Sequence, residues 1–196
     1  MVAGMRFERL IDDLAAQIDH EQREEERALA LEEERHRLGR LSLRERMRAL
    51  HEAGRPLRCE LVDGRTLSLG LTSFGRDWVA ARPEPPGLGQ FIVRIPAITA
   101  ILADRDDLTA SLVAVPEPPT ALAARIGFGF VLRDLARRRA PVLVHGVGGA
   151  SWHGTIDRVG GDHLELAVHP AGTPRREVEV RAYRLVPFER ISTVAF

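Results

Sequence analysis

The sequence predicts an α+β protein: a long N-terminal helix, then two repeats of a short helix and five short strands that curl into a small barrel. Three observations carry this. First, one pattern occurs twice, and adding 85 to the residue number lays the first copy on the second. Met47-Arg48-Ala49-Leu50 falls on Leu132-Arg133-Asp134-Leu135, and Pro56 falls on Pro141. Asp63-Gly64 falls on Gly148-Gly149, and the run Gly75 to Val79 falls on Gly160 to Leu164. Such a repeat fixes the architecture before any single element does. Second, residues 5 to 38 contain neither Pro nor Gly and are dense in Glu, Arg, Ala and Leu, a helical composition. Third, both copies continue as short alternating segments between tight turns, and five such strands cannot cover themselves as a flat sheet. The expected division is 1–40 for the helix, 41–103 for the first helix-plus-barrel, 104–119 for a linker, and 120–196 for the second.

The first helix carries an apolar stripe at helical spacing, Phe7, Leu10, Ile11, Leu14 and Ile18. Beyond it several would-be seam positions are Glu, which makes a poor continuous coiled coil. From Met5 to Arg37 there are 11 acidic and 6 basic residues, so this arm is the negative part of the chain. Gly39 is expected to interrupt it. Ser42 and Glu45 then fit a capping box, opening a short helix that Gly54 and Pro56 end. Leu57, Cys59 and Leu61 alternate with Arg58 and Glu60, as in a half-buried strand. Asp63-Gly64 signals a hairpin. Leu67, Leu69 and Leu71 form the return strand, and Val79 and Ala81 begin a third. Phe91, Val93 and Ile95 alternate after a Pro/Gly-rich loop, and Ile95-Pro96 leads into a short last strand through Ile98 and Ile101. Asp104 to Pro119 is acidic, then Pro-rich, and reads as a boundary. The second copy opens with a helix over about Thr120 to Arg137. Its strands are expected at 142–147, 151–158, 163–168, 176–185 and 191–196.

Composition narrows the function classes. The 196 residues are 44% apolar and 29% charged, and formal net charge is zero, which argues against a wholesale polyanion binder. All 28 basic residues are Arg, with no Lys and no Asn, which reads as codon bias of a high-GC, actinobacterial-like genome. The lone Cys59 excludes an internal disulfide and sits at an inward strand position. The start turns charged at once and no apolar run is long enough to span a bilayer, so a cytoplasmic protein with no membrane partner is expected.

A helix, a strand-Asp-Gly-Arg-strand hairpin, a Gly-Arg-Asp turn and a strand ending in Ile-Pro resemble the Sm-like (SH3-like small β-barrel) family. The residues that carry it are Leu57 to Arg65, Leu67 to Leu71, Gly75 to Val79 and Ile95-Pro96 to Ile101. In the second copy the resemblance lies mainly in Val186-Pro187 to Val194. It implies RNA binding, often in rings, with bases held by the loop after the second strand and the loop before the fifth. Those loops are here Ser73 to Asp77 with Ile95 to Ala97, and Arg158 to Asp162 with Val186 to Phe188. The family's usual Asn in the first loop and Arg-Gly pair in the last are absent. A tandem chain with an added helix also departs from the usual six- or seven-membered ring.

Trp78 and His163 take equivalent, outward-leaning positions beside Arg76 and Gly161. An exposed aromatic beside Arg suits base stacking; the alternative has Trp78 covering a barrel end or a helix. Trp152 is expected to pack in a core. Arg137, Arg138 and Arg139 end the second helix, where cations complement its dipole. With Arg175, Arg176, Arg181 and Arg184 they form a candidate phosphate-contacting face, and Arg94 and Arg158 are further nucleic-acid-binding candidates. His145, His153, His163 and His169 do not converge with any Cys, so no metal is expected. No Ser or Cys sits in a nucleophile elbow, so neither an enzyme nor a cofactor is expected. Two readings follow. One is a non-enzymatic nucleic-acid-associated protein, with RNA foremost, that uses barrel loops and Arg-rich helix faces. The other is a protein–protein adaptor whose helix and barrels dock on the transcription or translation machinery. The Phe7–Ile18 stripe or a barrel edge strand would suit a homodimer.

Overall fold

The computed structural model describes residues 2–85, 87, 89–116 and 122–196, with side chains described at Gln17 and from His20 onward in those ranges. The chain divides into two compact units, Met1–Ser42 and Leu43–Phe196. The first unit is one helix, α1 (Val2–Arg40), which runs through Gly39 where the sequence suggested an interruption. Its middle is solvated. Leu29 and Leu31 are exposed, and ion pairs one turn apart join Glu24 to Arg27 and Glu34 to Arg37. The expected docking stripe, Phe7, Leu10, Ile11, Leu14 and Ile18, lies outside the described side chains. No helix of the described residues is long and apolar enough to cross a membrane.

The second unit opens with α2 (Leu43–Glu52) and continues with β1 (Leu57–Leu61), β2 (Thr66–Phe74), β3 (Trp78–Pro83), β4 (Phe91–Arg94) and β5 (Ile98–Leu102). The segment read as a bare linker carries α3 (Arg105–Ala110). Asp104 caps it by accepting from the Asp107 N–H, and Arg46 of α2 donates to Ser111 just beyond its end. The helix expected over 120–137 is broken into α4 (Leu122–Arg125) and α5 (Phe128–Arg137), because Gly127 is extended (φ −83°, ψ 165°). There follow β6 (Pro141–Gly146), β7 (Ser151–Val159), β8 (His163–Val168), β9 (Ala182–Pro187) and β10 (Ile191–Ala195). The strand expected at 176–185 starts later, since Glu177–Glu179 forms a 3-10 turn first.

All ten strands belong to one antiparallel sheet, in the order β5-β1-β2-β3-β4-β10-β6-β7-β8-β9. β1 follows its alternation, with Leu57, Cys59 and Leu61 buried and Arg58 and Glu60 exposed. Burial in this apolar setting pushes the Cys59 thiol up to about 11. The Asp63-Gly64 hairpin forms as expected, with Gly64 at φ +84°, a conformation that glycine adopts without steric cost.

The sheet has two cores. Met47, Leu50, Leu57, Cys59, Leu61, Leu69, Val79 and Val93 belong to one, and Phe128, Leu132, Val142, Val144, Ile156, Leu164, Ile191 and Val194 to the other. β3 and β4 serve both. Val79 and Val93 face the first core, whereas Trp78 and Ile92 face the second. Between the cores β4 pairs with β10, placing Val93 opposite Thr193 and Ile92 opposite Val194. Gln90 and Phe196 extend this seam by exchanging both backbone hydrogen bonds.

A polar latch reinforces the seam. The Asp63 side chain is 1% exposed and accepts from Arg65 at 2.7 Å and from the Ser192 hydroxyl. Arg65 also donates to the Thr193 hydroxyl at 2.7 Å. Buried polar groups need such partners, and here each satisfies another.

Candidate functional site

The break at Gly127 builds the main cleft. The Ile126 carbonyl, freed from the helix ladder, accepts from the Arg76 backbone N–H at 2.9 Å and from the Trp78 indole at 3.0 Å. The Phe128 N–H, unpaired at the start of α5, donates to Asp77 at 2.8 Å. Asp77 therefore caps a helix from another part of the chain and uses the favourable end of its dipole. These bonds hold the β2–β3 turn against the start of α5. Opposite, the β8 turn and the start of the last 3-10 turn are tied by the Phe188 N–H, which donates to the Asp162 carbonyl at 2.7 Å. Phe188 stacks edge-on against Phe128 at 5.5 Å, and Gly129 leaves room for its ring.

The cleft so enclosed has a volume of about 660 Å³. Arg76 and Asp77 line it from one side, Gly127 to Phe130 and Arg133 from α5, and Gly161, Asp162 and Pro187 to Glu189 from the other. The Arg76 guanidinium lies along Gly127, where a Cβ would stand 2.9 Å from its Nη2. Phe130 is 58% exposed at the cleft, and the exposed Arg133 reaches the Gly160 carbonyl at 3.4 Å. Two guanidinium groups, an exposed aromatic ring and several glycine backbones offer charge, a stacking surface and close main-chain approach. Asp77, Asp162 and Glu189 moderate the positive field, so the cleft is mixed rather than uniformly basic.

The expected site residues divide. Arg76 lines this cleft, and the loops that hold Asp77, Gly161–Asp162 and Pro187–Phe188 meet in it. His163 is half-exposed beside it and hydrogen-bonded to Asp162 at 2.7 Å, which holds the Asp162 carboxyl below its ordinary range. Trp78 is a correction. It is 8% exposed and packed into the second core with its indole N–H engaged, so it presents no stacking face. Arg94 is corrected too. It is half-buried above the Phe128 ring and donates to the Phe188 and Ile191 carbonyls, a role in joining the halves of the sheet.

The Arg run stands at the far end of α5, about 6–8 Å along the helix beyond Arg133, the last cleft-lining residue of α5. Arg137 and Arg138 both pair with Asp134, and Arg139 pairs with Asp157. Arg175 also grips Asp157, and these bonds hold that carboxyl below the usual range. Arg158 lies 3.9 Å from Glu165, and Arg176 is exposed before the Glu177–Glu179 turn. Trp152 is half-buried against the second core with Arg184 over its ring. Among the described residues no group of three or more His, Cys, Asp or Glu side chains could hold a metal ion.

Phe130 and Arg133 were missed at the sequence level. Their signal was Gly127 and Gly129 at the head of a predicted helix, which mark where the helix breaks and backbone comes close. No protein-family model, curated protein or solved structure matches the chain.

Proposed function

We propose that the chain carries two copies of an Sm-like unit, β1–β5 and β6–β10, and that it is a non-enzymatic protein binding single-stranded RNA in the cleft between them. The observation that carries this is convergence. Loops from both halves, Arg76-Asp77, Gly161-Asp162 and Pro187-Phe188, meet around Phe130 and Arg133. Unpaired bases stack on aromatic rings and guanidinium planes, and phosphates pair with Arg without reading sequence. The strand order of each half supports the repeat, since β5-β1-β2-β3-β4 and β10-β6-β7-β8-β9 are the same order.

The test is fluorescence anisotropy of nuclease-treated protein with labelled single-stranded RNA at low and moderate salt. Binding should weaken with salt, and the double reversal Arg76→Glu with Arg133→Glu should abolish it or flatten the log–log slope by about 1.4, for two phosphate contacts. Reversing Arg137 and Arg138, already paired with Asp134, should change little. Absence of binding at low salt, or binding indifferent to the cleft reversal, would refute the reading. A second reading, a protein–protein adaptor, draws on α1, which is a separate acidic unit with Leu29 and Leu31 exposed. It predicts that removal of residues 1–38 abolishes partner capture while the Arg reversals are silent.

A further inference from the structure

At four positions the second half of the sheet carries a side chain of different chemistry from the first, and the fold gathers all four at one place. Backbone hydrogen bonds establish the correspondence. The Gly54 N–H donates to the His51 carbonyl past the end of α2, and the Arg139 N–H donates to the Ala136 carbonyl past the end of α5. The Glu84 N–H meets the Ser68 carbonyl, and the His169 N–H meets the His153 carbonyl. Gly70 pairs with Arg82 as Thr155 pairs with Ala167, and the ladder slips at Thr72 in β2 as it does at Asp157 in β7. Gly54, Gly70, Thr72 and Glu84 thus give way to Arg139, Thr155, Asp157 and His169. Arg139 is the least comfortable of these. It takes φ +52°, the only positive φ of a non-glycine among the described residues, where Gly54 takes +68° without a Cβ to strain it. A side chain kept in such a conformation is one that is used.

Arg139, Thr155 and His169 line a cleft of about 580 Å³, together with Thr173 and Arg175 from the loop 169–181, which is longer than its counterpart 84–90. Asp157 orients the cations. Arg175 grips its two oxygens through Nε and Nη2 at 2.8 and 2.7 Å, and Arg139 adds Nη1 at 2.8 Å. A guanidinium has five N–H donors, so both keep donors for a further acceptor. Thr155 and His169 are each 2% exposed, and they meet at 2.9 Å through the hydroxyl and Nε2. His169 Nδ1 lies 3.1 Å from the Pro170 carbonyl, which can only accept. Nδ1 therefore carries the proton, Nε2 accepts from Thr155, and the Thr155 oxygen is left to accept in its turn. Among the described residues no carboxylate lines the cleft.

We propose that this cleft binds a small phosphomonoester that also bears hydroxyl groups, such as a sugar phosphate. Arg139 and Arg175, held side by side by Asp157, take the phosphoryl oxygens through charge-assisted hydrogen bonds. Thr155, its own proton committed to His169, accepts from a hydroxyl of the ligand. The volume exceeds what a bare phosphate ion fills and suits a small organic ester. The site shares no lining residue with the cleft around Phe130 and Arg133, so it stands whether or not that cleft binds RNA.

Titration of the full chain with ribose 5-phosphate, followed by amide chemical shifts at constant ionic strength, tests this. The Arg139, Thr155, His169 and Arg175 amides should shift saturably, and inorganic phosphate should bind more weakly. Arg139→Gly should weaken ribose 5-phosphate about tenfold or more, the loss of one charge-assisted hydrogen bond. The same variant should melt at or above the wild-type temperature, because it places at this helix end the residue found at Gly54. Arg175→Gln should weaken binding likewise. The double reversal Arg76→Glu with Arg133→Glu should leave it unchanged. No saturable binding of ribose 5-phosphate, equal affinity for inorganic phosphate, or undiminished binding by a folded Arg139→Gly overturns the proposal. Loss of binding in the Arg76 and Arg133 reversal also overturns it, since the ester would then sit in the other cleft.

Discussion

Trp78 and His163 each open a strand directly after a Gly-x-Asp turn, and each ring sits on a glycine three residues before it. A Cβ on Gly75 would stand 2.1 Å from the indole, and one on Gly160 would stand 2.5 Å from the imidazole. The local chemistry of the two turns is the same, yet Trp78 is buried and His163 is half-exposed. The difference lies beyond the turn. β10 and α5 pack against the face that Trp78 and Ile92 share, and among the described residues no strand lies outside β9 on the corresponding side. Burial of a strand residue is decided by the neighbour across the sheet as much as by its own alternation.

The comparison breaks most sharply at Trp78. Trp78→Ala empties part of the second core and removes the donor to Ile126, and should cost about 3–5 kcal/mol by urea denaturation. The latch comes next. Asp63→Asn weakens its bonds to Arg65 and Ser192 and should cost about 1–3 kcal/mol, the range for a buried polar group left short of partners. It should also change the pH dependence. Burial pushes the Asp63 carboxyl up, but hydrogen bonds from Arg65 and Ser192 outweigh burial and hold it below the ordinary value of 3.8. Stability from this group is therefore present above that ordinary value and is lost as the pH falls through the lowered one. The wild type should lose more stability than Asp63→Asn between neutral pH and about pH 3, as urea midpoints would reveal. At the mild end, His163→Ala should stay within about 0.5 kcal/mol of the wild type, as for a surface change. A large loss there would mean that this turn is covered after all.

Much of the sheet was legible because it depends on local chemistry. Leu57, Cys59 and Leu61 alternate, Gly64 takes the positive φ its turn requires, and both Ile-Pro and Val-Pro elements end their strands in 3-10 turns. What escaped depends on contacts distant in sequence. Trp78 reads as outward because its own strand places Val79 inward; only β10 and α5 give its other face a core. Asp63 reads as a turn former, and its buried bond to Ser192 spans 129 residues. The acidic and Pro-rich character of 104–119 reads as a linker, yet Asp104 in it is a helix cap. The cleft was half legible, since its loops were expected to bind but not to meet each other. The Arg run was conspicuous in sequence and is occupied by Asp134 and Asp157 in the fold.

The seam between β4 and β10 also sets an order of events during synthesis. Val93 meets Thr193, its partner 100 residues later (193 − 93). At about 5–20 residues per second, β4 waits on the order of 5–20 s for the strand that covers it. Through that interval the nascent chain holds Ile92 and Trp78 without the core that will receive them. The first half of the sheet is thus made with an adhesive edge that its own later residues are shaped to fill.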